Sequence, residues 1–384
     1  MKKRKKLKTK RLILALAILI ILIIGGYFFM YSKTDTYKLH KLGYNQEEIK
    51  AIQSLDNKDI ETIKNVNYDK NIPTLITMKD FKKESFKEYY TYQKSHKTTS
   101  EETIFIINNN LDENDLYDEK KIASYMQFSK RANVPASIAV DLVNDNITYS
   151  DIIPSLQKEK YYKETNLKRY LQYYEKTNYD ASTVIRNVNA NLDYDYYTNI
   201  QASDLSKGNL ILVNKYYQLD ENYEPDGLVQ IEGSYYAKQV TKDAYLKMKQ
   251  DAQNQNLYLT ITSAYRSYST QDALYKRYTN QYGKAWADSY SARPGHSEHQ
   301  TGLALDITSD RSNFDNFENT EEYKWLKENA HKYGFILRYQ QDTEDITGYH
   351  YESWHHRYVG VEVATKIYNE KITYEEYYEY YVNK

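Results

Sequence analysis

The chain has 384 residues, of which 41% are hydrophobic and 27% charged; this excludes a wholly disordered protein and a polytopic membrane protein, and predicts two or three domains. Its net charge of −1 averages two unlike parts, because the first eleven residues carry eight Lys or Arg and no acid, leaving 44 basic against 53 acidic residues. A body at about −9 does not suit nucleic acid as a partner, since that binding rests on neutralising phosphates. With no cysteine, disulfides, thiolate zinc sites, thiol nucleophiles and a lipid-bearing N-terminal Cys are all excluded. The 45 tyrosines fit a biased genome as readily as a function.

Residues 12–31 form an uncharged stretch, rich in Leu and Ile at its start. As a helix at about 1.5 Å per residue it would cross a bilayer core of ~30 Å. The basic tail, residues 1–11, would stay cytoplasmic and place the rest of the chain outside the membrane. A cleaved signal peptide has the same basic-then-apolar order. Against it stand the length of the apolar stretch and the bulky Phe28-Phe29-Met30-Tyr31 where a small-residue cleavage site belongs. The expectation is a bacterial, single-pass membrane protein with an extracytoplasmic body.

Residues 36–195 repeat themselves. Ile72-Pro73-Thr74-Leu75 returns as Ile153-Pro154-Ser155-Leu156, 81 residues on, and Tyr89, Ile104 and Asn108 meet Tyr170, Ile185 and Asn189 at the same offset. A shorter copy lies between them, with Tyr125, Asn133 and Asn144 matching Tyr170, Asn178 and Asn189. Apolar residues three and four apart predict an all-α array of helical hairpins that bury their stripes by stacking. Such an array serves as a spacer or binds a wall component or partner protein; it holds no cluster of His or carboxylates that would point to chemistry of its own.

The chemistry is expected after residue 260, because six of the eight histidines fall between 296 and 356. A zinc site without cysteine must use imidazole and carboxylate ligands. Two segments supply them, Ser297-Glu298-His299-Gln300-Thr301-Gly302-Leu303-Ala304-Leu305-Asp306 and Glu352-Ser353-Trp354-His355-His356-Arg357. In the first, Gly302 and Ala304 let the backbone pack closely, and Leu303, Leu305 and Ile307 read as a buried strand carrying Asp306. In the second, a tight turn can aim Glu352 and His355 at one point. Two His, one Asp and a spare Glu make a complete hydrolytic set: three ligands, an open position for a zinc-activated water, and a carboxylate to take its proton.

The pattern S-x-H-x-x-G-x-A-x-D followed by E-x-W-H resembles the signature of the zinc D-alanyl-D-alanine carboxypeptidases of the vancomycin-resistance Y type. These belong to the LAS peptidases, named for lysostaphin, D-Ala-D-Ala carboxypeptidase and sonic hedgehog. The similarity extends over about residues 207–380 and includes Leu212-Val213-Asn214-Lys215, Ser263-Ala264-Tyr265-Arg266-Ser267-Tyr268 with Gln271, and Tyr333-Gly334-Phe335-Ile336-Leu337-Arg338-Tyr339. It implies that His299, Asp306 and His355 bind one zinc ion and that Glu352 is the general base. Arg266 would stabilise the oxyanion or hold the substrate carboxylate, and Gln271 and Ser297 would face the substrate or support the residues that do. This sequence has Ala264 where glycine is common. It also has His356 where an aromatic or apolar residue is usual, and the E-x-x-H spacing favours His355 over its neighbour as the ligand.

The expected architecture is therefore α+β over residues 200–384, a small antiparallel sheet with helices around a zinc cleft, behind the helical repeats and one transmembrane helix. The expected activity is removal of a C-terminal D-Ala from peptidoglycan stem peptides. An L,D-carboxypeptidase acting on tetrapeptides or an endopeptidase would use the same zinc set, and a wall-binding adaptor working through the repeats is the non-enzymatic alternative.

Overall fold

The structure, a computed structural model, describes residues 2–113, 116–309 and 316–383, with side chains from residue 10 onward. The side chains of the basic tail up to residue 9 thus lie outside the described residues. The contacts divide the chain into two compact units, Met1–Tyr149 and Ser150–Lys384.

The first unit opens with a helix, Lys2–Ser32. Its stretch Lys10–Ser32 is long and apolar enough to cross a membrane, and its apolar window is not buried; only its end touches the next helix, through Phe28 and Tyr31 on Tyr37. Two helical hairpins follow further on, Phe86–His96 with Ser100–Asn108 and Ile122–Ala132 with Ala136–Asn144. In each, the first helix stops at a residue in the left-handed region, Lys97 and then Asn133, which breaks the helical hydrogen-bond ladder and lets the chain reverse. The turn of the first hairpin is closed by a capping box between Thr99 and Glu102, which satisfies the donors left open at a helix start.

The repeated Tyr and Asn prove to be one device used three times. Tyr89 donates to Asn108 Oδ1 at 2.5 Å, Tyr125 to Asn144 at 2.8 Å, and Tyr170 to Asn189 at 2.6 Å. Each asparagine then donates its Nδ2 to a backbone carbonyl just ahead of its hairpin, that of Asp80, Leu116 or Tyr161. The three tyrosine rings are fully buried. A phenol in an apolar core needs a partner for its hydroxyl, and the asparagine supplies one while tying the segment ahead of the hairpin to its second helix.

The third copy, Leu167–Thr177 with Ala181–Asn189, belongs to the second unit. Its approach segment meets the C-terminal residues of the chain. Tyr161 stacks on Tyr380 with ring centroids 3.6 Å apart, and Lys163 Nζ pairs with Glu379 at 3.0 Å. The mixed helix-and-sheet part follows. Strands β1 (Leu228–Glu232) and β2 (Tyr235–Lys238) form a hairpin. Strands β3 (Thr260–Ser263), β4 (Ala304–Thr308), β5 (Phe335–Leu337) and β6 (His355–Tyr358) form an antiparallel sheet in the order β3-β4-β6-β5.

Side chains alternate between the two faces of a strand. Leu305 and Ile307 of β4 therefore enter an apolar core with Tyr245, Met248, Ile261, Leu326 and Phe335. Asp306 faces the other way and lies opposite His355 in the register of β4 with β6. This register decides which of the two adjacent histidines can meet Asp306. His356 lies opposite Leu305, on the other face, where its Nδ1 contacts the Trp354 carbonyl at 2.9 Å.

Candidate active site

The turn Glu298–Thr301 brings His299 beside β4. It ends at Gly302, whose φ is +69° and whose missing Cβ would lie 3.0 Å from Leu228 and 3.3 Å from the Lys238 backbone nitrogen. Only glycine combines that left-handed backbone with so close an approach. The Gly302 carbonyl accepts bonds from Lys238 N at 2.9 Å and Thr241 Oγ1 at 3.1 Å, fastening the turn to β2 and the helix after it.

Donor atoms of His299, Asp306 and His355 lie within 4.8 Å of one another, and all three residues are buried. His299 donates from Nδ1 to the Ala264 carbonyl at 2.7 Å, which leaves the Nε2 lone pair 3.4 Å from Asp306 Oδ2. His355 presents Nδ1 to Asp306 Oδ1 at 3.3 Å and to Glu352 Oε2 at 3.4 Å. Asp306 Oδ1 is buried and accepts no hydrogen bond of good geometry, an expensive state for a carboxylate oxygen unless a cation sits before it. Two imidazoles and a carboxylate are a donor set suited to zinc, so these residues fit such an ion.

The electrostatics agree with a seat for positive charge. Burial would lower the His355 pKa, but the carboxylates of Asp306 and Glu298 facing its two ring nitrogens outweigh that and raise it to about 9. His299 is lowered, mainly by burial. Glu352 is half-buried beside the Asp306 charge, and loss of solvent raises its carboxyl to about 7, near the value at which a carboxylate accepts and returns a proton in neutral solution.

The other expected residues line the same cleft, of about 460 Å³. Arg266 Nη2 lies 3.9 Å from Asp306 Oδ2 and donates to Ser263 Oγ at 2.9 Å, while Nη1 donates to Gln271 Oε1 at 2.7 Å. Gln271 in turn donates to Ala292 O at 2.7 Å and Ser291 Oγ at 3.2 Å. Both ends of its amide are thus engaged with protein, and it fixes the plane of the Arg266 guanidinium. Ser297 is buried in the cleft wall.

The sequence profile of the VanY D-alanyl-D-alanine carboxypeptidases matches residues 234–361, the stretch that holds all of β2 to β6 and the three converging donors. A putative carboxypeptidase of Bacillus subtilis, YodJ, is 42% identical over 182 residues, covering 44% of this chain and 67% of its own. VanXYC of Enterococcus gallinarum, a bifunctional D-Ala-D-Ala dipeptidase and D-Ala-D-Ala carboxypeptidase, is 33% identical over 44% of this chain and 94% of its own. This chain belongs to the VanY family of LAS carboxypeptidases. The solved structure of the LD-carboxypeptidase LdcB is 40% identical, with a TM-score of 0.44, over 47% of this chain and 91% of its own. The VanY match lies wholly in the second unit and leaves the helical hairpins outside it.

Within this VanY-type site the sequence reading passed over Glu298. Its carboxylate is fully buried, accepting Arg338 Nε at 2.8 Å and Arg357 Nη1 at 2.9 Å, and it faces His355 Nε2 at 3.4 Å. The Arg338 guanidinium also meets both oxygens of Glu375, at 2.9 and 2.6 Å. Two carboxylates and two guanidiniums make this buried cluster neutral. A usable signal was present: Arg338 ends the apolar run Phe335-Ile336-Leu337, and a charge at the end of a buried strand needs a buried counter-charge.

Proposed function

We propose that this chain is a zinc-dependent D-alanyl-D-alanine carboxypeptidase acting on peptidoglycan stem peptides. The observation that supports this best is the convergence of His299, Asp306 and His355 on one point with the raised carboxyl of Glu352 beside it. His299 Nε2, the Asp306 carboxylate and His355 Nδ1 would hold one zinc ion. When bound, zinc supplies Lewis acidity, acidifying water and polarising a carbonyl.

The remaining steps fall to the chain's own residues. Glu352 accepts the proton of the attacking water and returns it to the amine nitrogen of the departing D-Ala as the peptide C–N bond breaks. Arg266 holds the substrate's terminal carboxylate or the oxygen on which charge develops, tasks suited to a permanently charged planar fork. Gln271 keeps that fork in place, and Ser297 offers a hydrogen bond from the cleft wall. The D,D bond is preferred in this reading because the family and the E. gallinarum relative carry that activity in their names. The basic tail and the helix Lys10–Ser32 support a single-pass anchor with the second unit outside the cell membrane.

The test is to incubate the zinc-loaded full chain with stem peptides ending in D-Ala-D-Ala and with others ending in one D-Ala, following products by mass spectrometry. Loss of one alanine from the first class, abolished by chelation, is the expected result. Cleavage of the second class alone would make the enzyme an L,D-carboxypeptidase, and cleavage of neither would end the carboxypeptidase reading.

A further inference from the structure

A row of aromatic side chains runs from the wall of the cleft onto the surface. Tyr278 and Tyr290 line the cleft. Between them stand Tyr282 and Trp286, with Trp286 at 5.6 Å from Tyr278, 4.3 Å from Tyr282 and 4.5 Å from Tyr290, measured between ring centroids. His350 extends the row, 4.3 Å from Tyr290. Tyr278 and Tyr282 lie one turn apart on the helix Tyr268–Tyr282, and Trp286 and Tyr290 one turn apart on the helix Lys284–Tyr290; across the break at Gly283 it is the contacts of Trp286 with Tyr278 and Tyr282 that join the two pairs. Packing does not use them up: Tyr282 is 50% exposed and Tyr290 46%. Scattered exposed aromatics need no explanation, but a contiguous row beside a cleft marks a contact surface.

We propose that this row is a binding surface for the glycan strand of peptidoglycan, an inference that rests on the carboxypeptidase reading for its choice of ligand. An enzyme that acts on the last residue of a stem peptide meets the sugar only at the peptide's other end. An extended stem of four or five residues spans at most ~13–18 Å, so the sugars come to lie just beyond the mouth of the cleft. A pyranose ring presents flat C–H faces and uncharged hydroxyl and acetamido edges. Exposed aromatic rings pack against such faces while leaving the edges in water, and the row is continuous with the cleft through Tyr278 and Tyr290. A peptide strand would instead seek an open backbone edge, which two helices do not offer; the charges beside the row, Arg277 at 5.3 Å from the Tyr278 ring and Glu344 on His350, sit at its two ends.

The test uses the detergent-solubilised full chain and peptide-free strands of alternating N-acetylglucosamine and N-acetylmuramic acid, with binding read by calorimetry. Wild type should bind the strands. Trp286→Ala and, separately, Tyr282→Ala should weaken binding about tenfold, with Trp286→Phe keeping most of it. Tyr282 is half exposed, so its variant tests the surface even if the Trp286 variants melt early. No binding by wild type, or equal binding by wild type and both alanine variants, overturns the proposal. Cleavage of a free stem peptide, assayed on the same wild-type sample, reports separately on the carboxypeptidase reading. Glycan binding without cleavage upholds the surface and counts against the enzyme; cleavage without glycan binding does the reverse.

Discussion

Glu298 and Asp306 stand on opposite sides of the His355 ring, Glu298 3.4 Å from Nε2 and Asp306 3.3 Å from Nδ1. Glu298 is held ionised by Arg338 and Arg357, although burial opposes it. An ionised carboxylate can only accept, so it keeps a proton on Nε2 and turns the other nitrogen toward Asp306 and Glu352. Glu298→Gln should therefore weaken zinc binding by about 10–100-fold, measured by competition with a chromophoric chelator. It should also cost about 3–5 kcal/mol of stability by leaving a guanidinium unpaired in the interior. Unchanged zinc affinity would show that the Arg cluster, and not the imidazole, is what Glu298 serves.

Glu352 and His299 should separate binding from turnover. Glu352→Ala leaves the three converging donors intact and should retain stoichiometric zinc by elemental analysis, while turnover falls by at least ~10²–10⁴-fold. His299→Ala removes a donor and should lose both. Near-wild-type cleavage by Glu352→Ala would take that residue out of the chemistry.

Lys215 gives a pH-dependent signature. It is 3% exposed, its Nζ donates to the Asp288 carbonyl at 2.6 Å, and the Tyr196 and Tyr349 rings lie 4.6 and 4.5 Å away. Burial lowers its pKa from 10.5 to about 8. Between those values the unfolded chain binds the proton and the folded chain does not, so this group makes stability rise with pH there. Lys215→Met should gain most over wild type at pH 7. That advantage should shrink, by about 3 kcal/mol in all, as pH rises from 8 to 10.5. Parallel denaturation midpoints of the two proteins across that range would contradict the assignment.

The Tyr–Asn pair of each hairpin should be worth more than its one hydrogen bond. Asn189→Ala strips partners from both the Tyr170 hydroxyl and the Tyr161 carbonyl. It should cost about 1–3 kcal/mol, seen as faster amide exchange in Leu167–Asn189. Asn189→Asp keeps an acceptor for Tyr170 and should lose less. Equal effects of the two variants would place the value of Asn189 in packing.

The three converging donors were legible because two short segments contain them and β-strand alternation fixes which side chains share a face. The hairpins were legible for a similar reason: Ile72-Pro73 and Ile153-Pro154 repeat a local pattern, and local pattern is what a sequence displays. Glu298 was not, although it adjoins His299. Its role depends on Arg338 and Arg357, which reach it only once β5 and β6 have paired with the rest of the sheet. The grouping of the third hairpin with the second unit was equally hidden. It includes Tyr161 stacking on Tyr380 across most of that unit, a contact that leaves no trace in either neighbourhood. Gln271 read as a residue that could face the substrate, and only the three-dimensional arrangement shows its amide already committed at both ends.

Each Tyr–Asn pair joins residues 19 positions apart, whereas the sheet cannot close until Thr260–Ser263, Ala304–Thr308 and His355–Tyr358 have all found their neighbours. Short-range contacts form early and long-range pairings late. On a chain delivered N-terminus first, the Tyr–Asn pair of each hairpin can close as soon as its own 29 residues, from the approach carbonyl to the asparagine, have emerged. The donor cluster is assembled last, after His355 arrives. The order of the sequence thus sets an order of maturation in which the metal-binding face comes into being on a chain whose earlier parts are already folded.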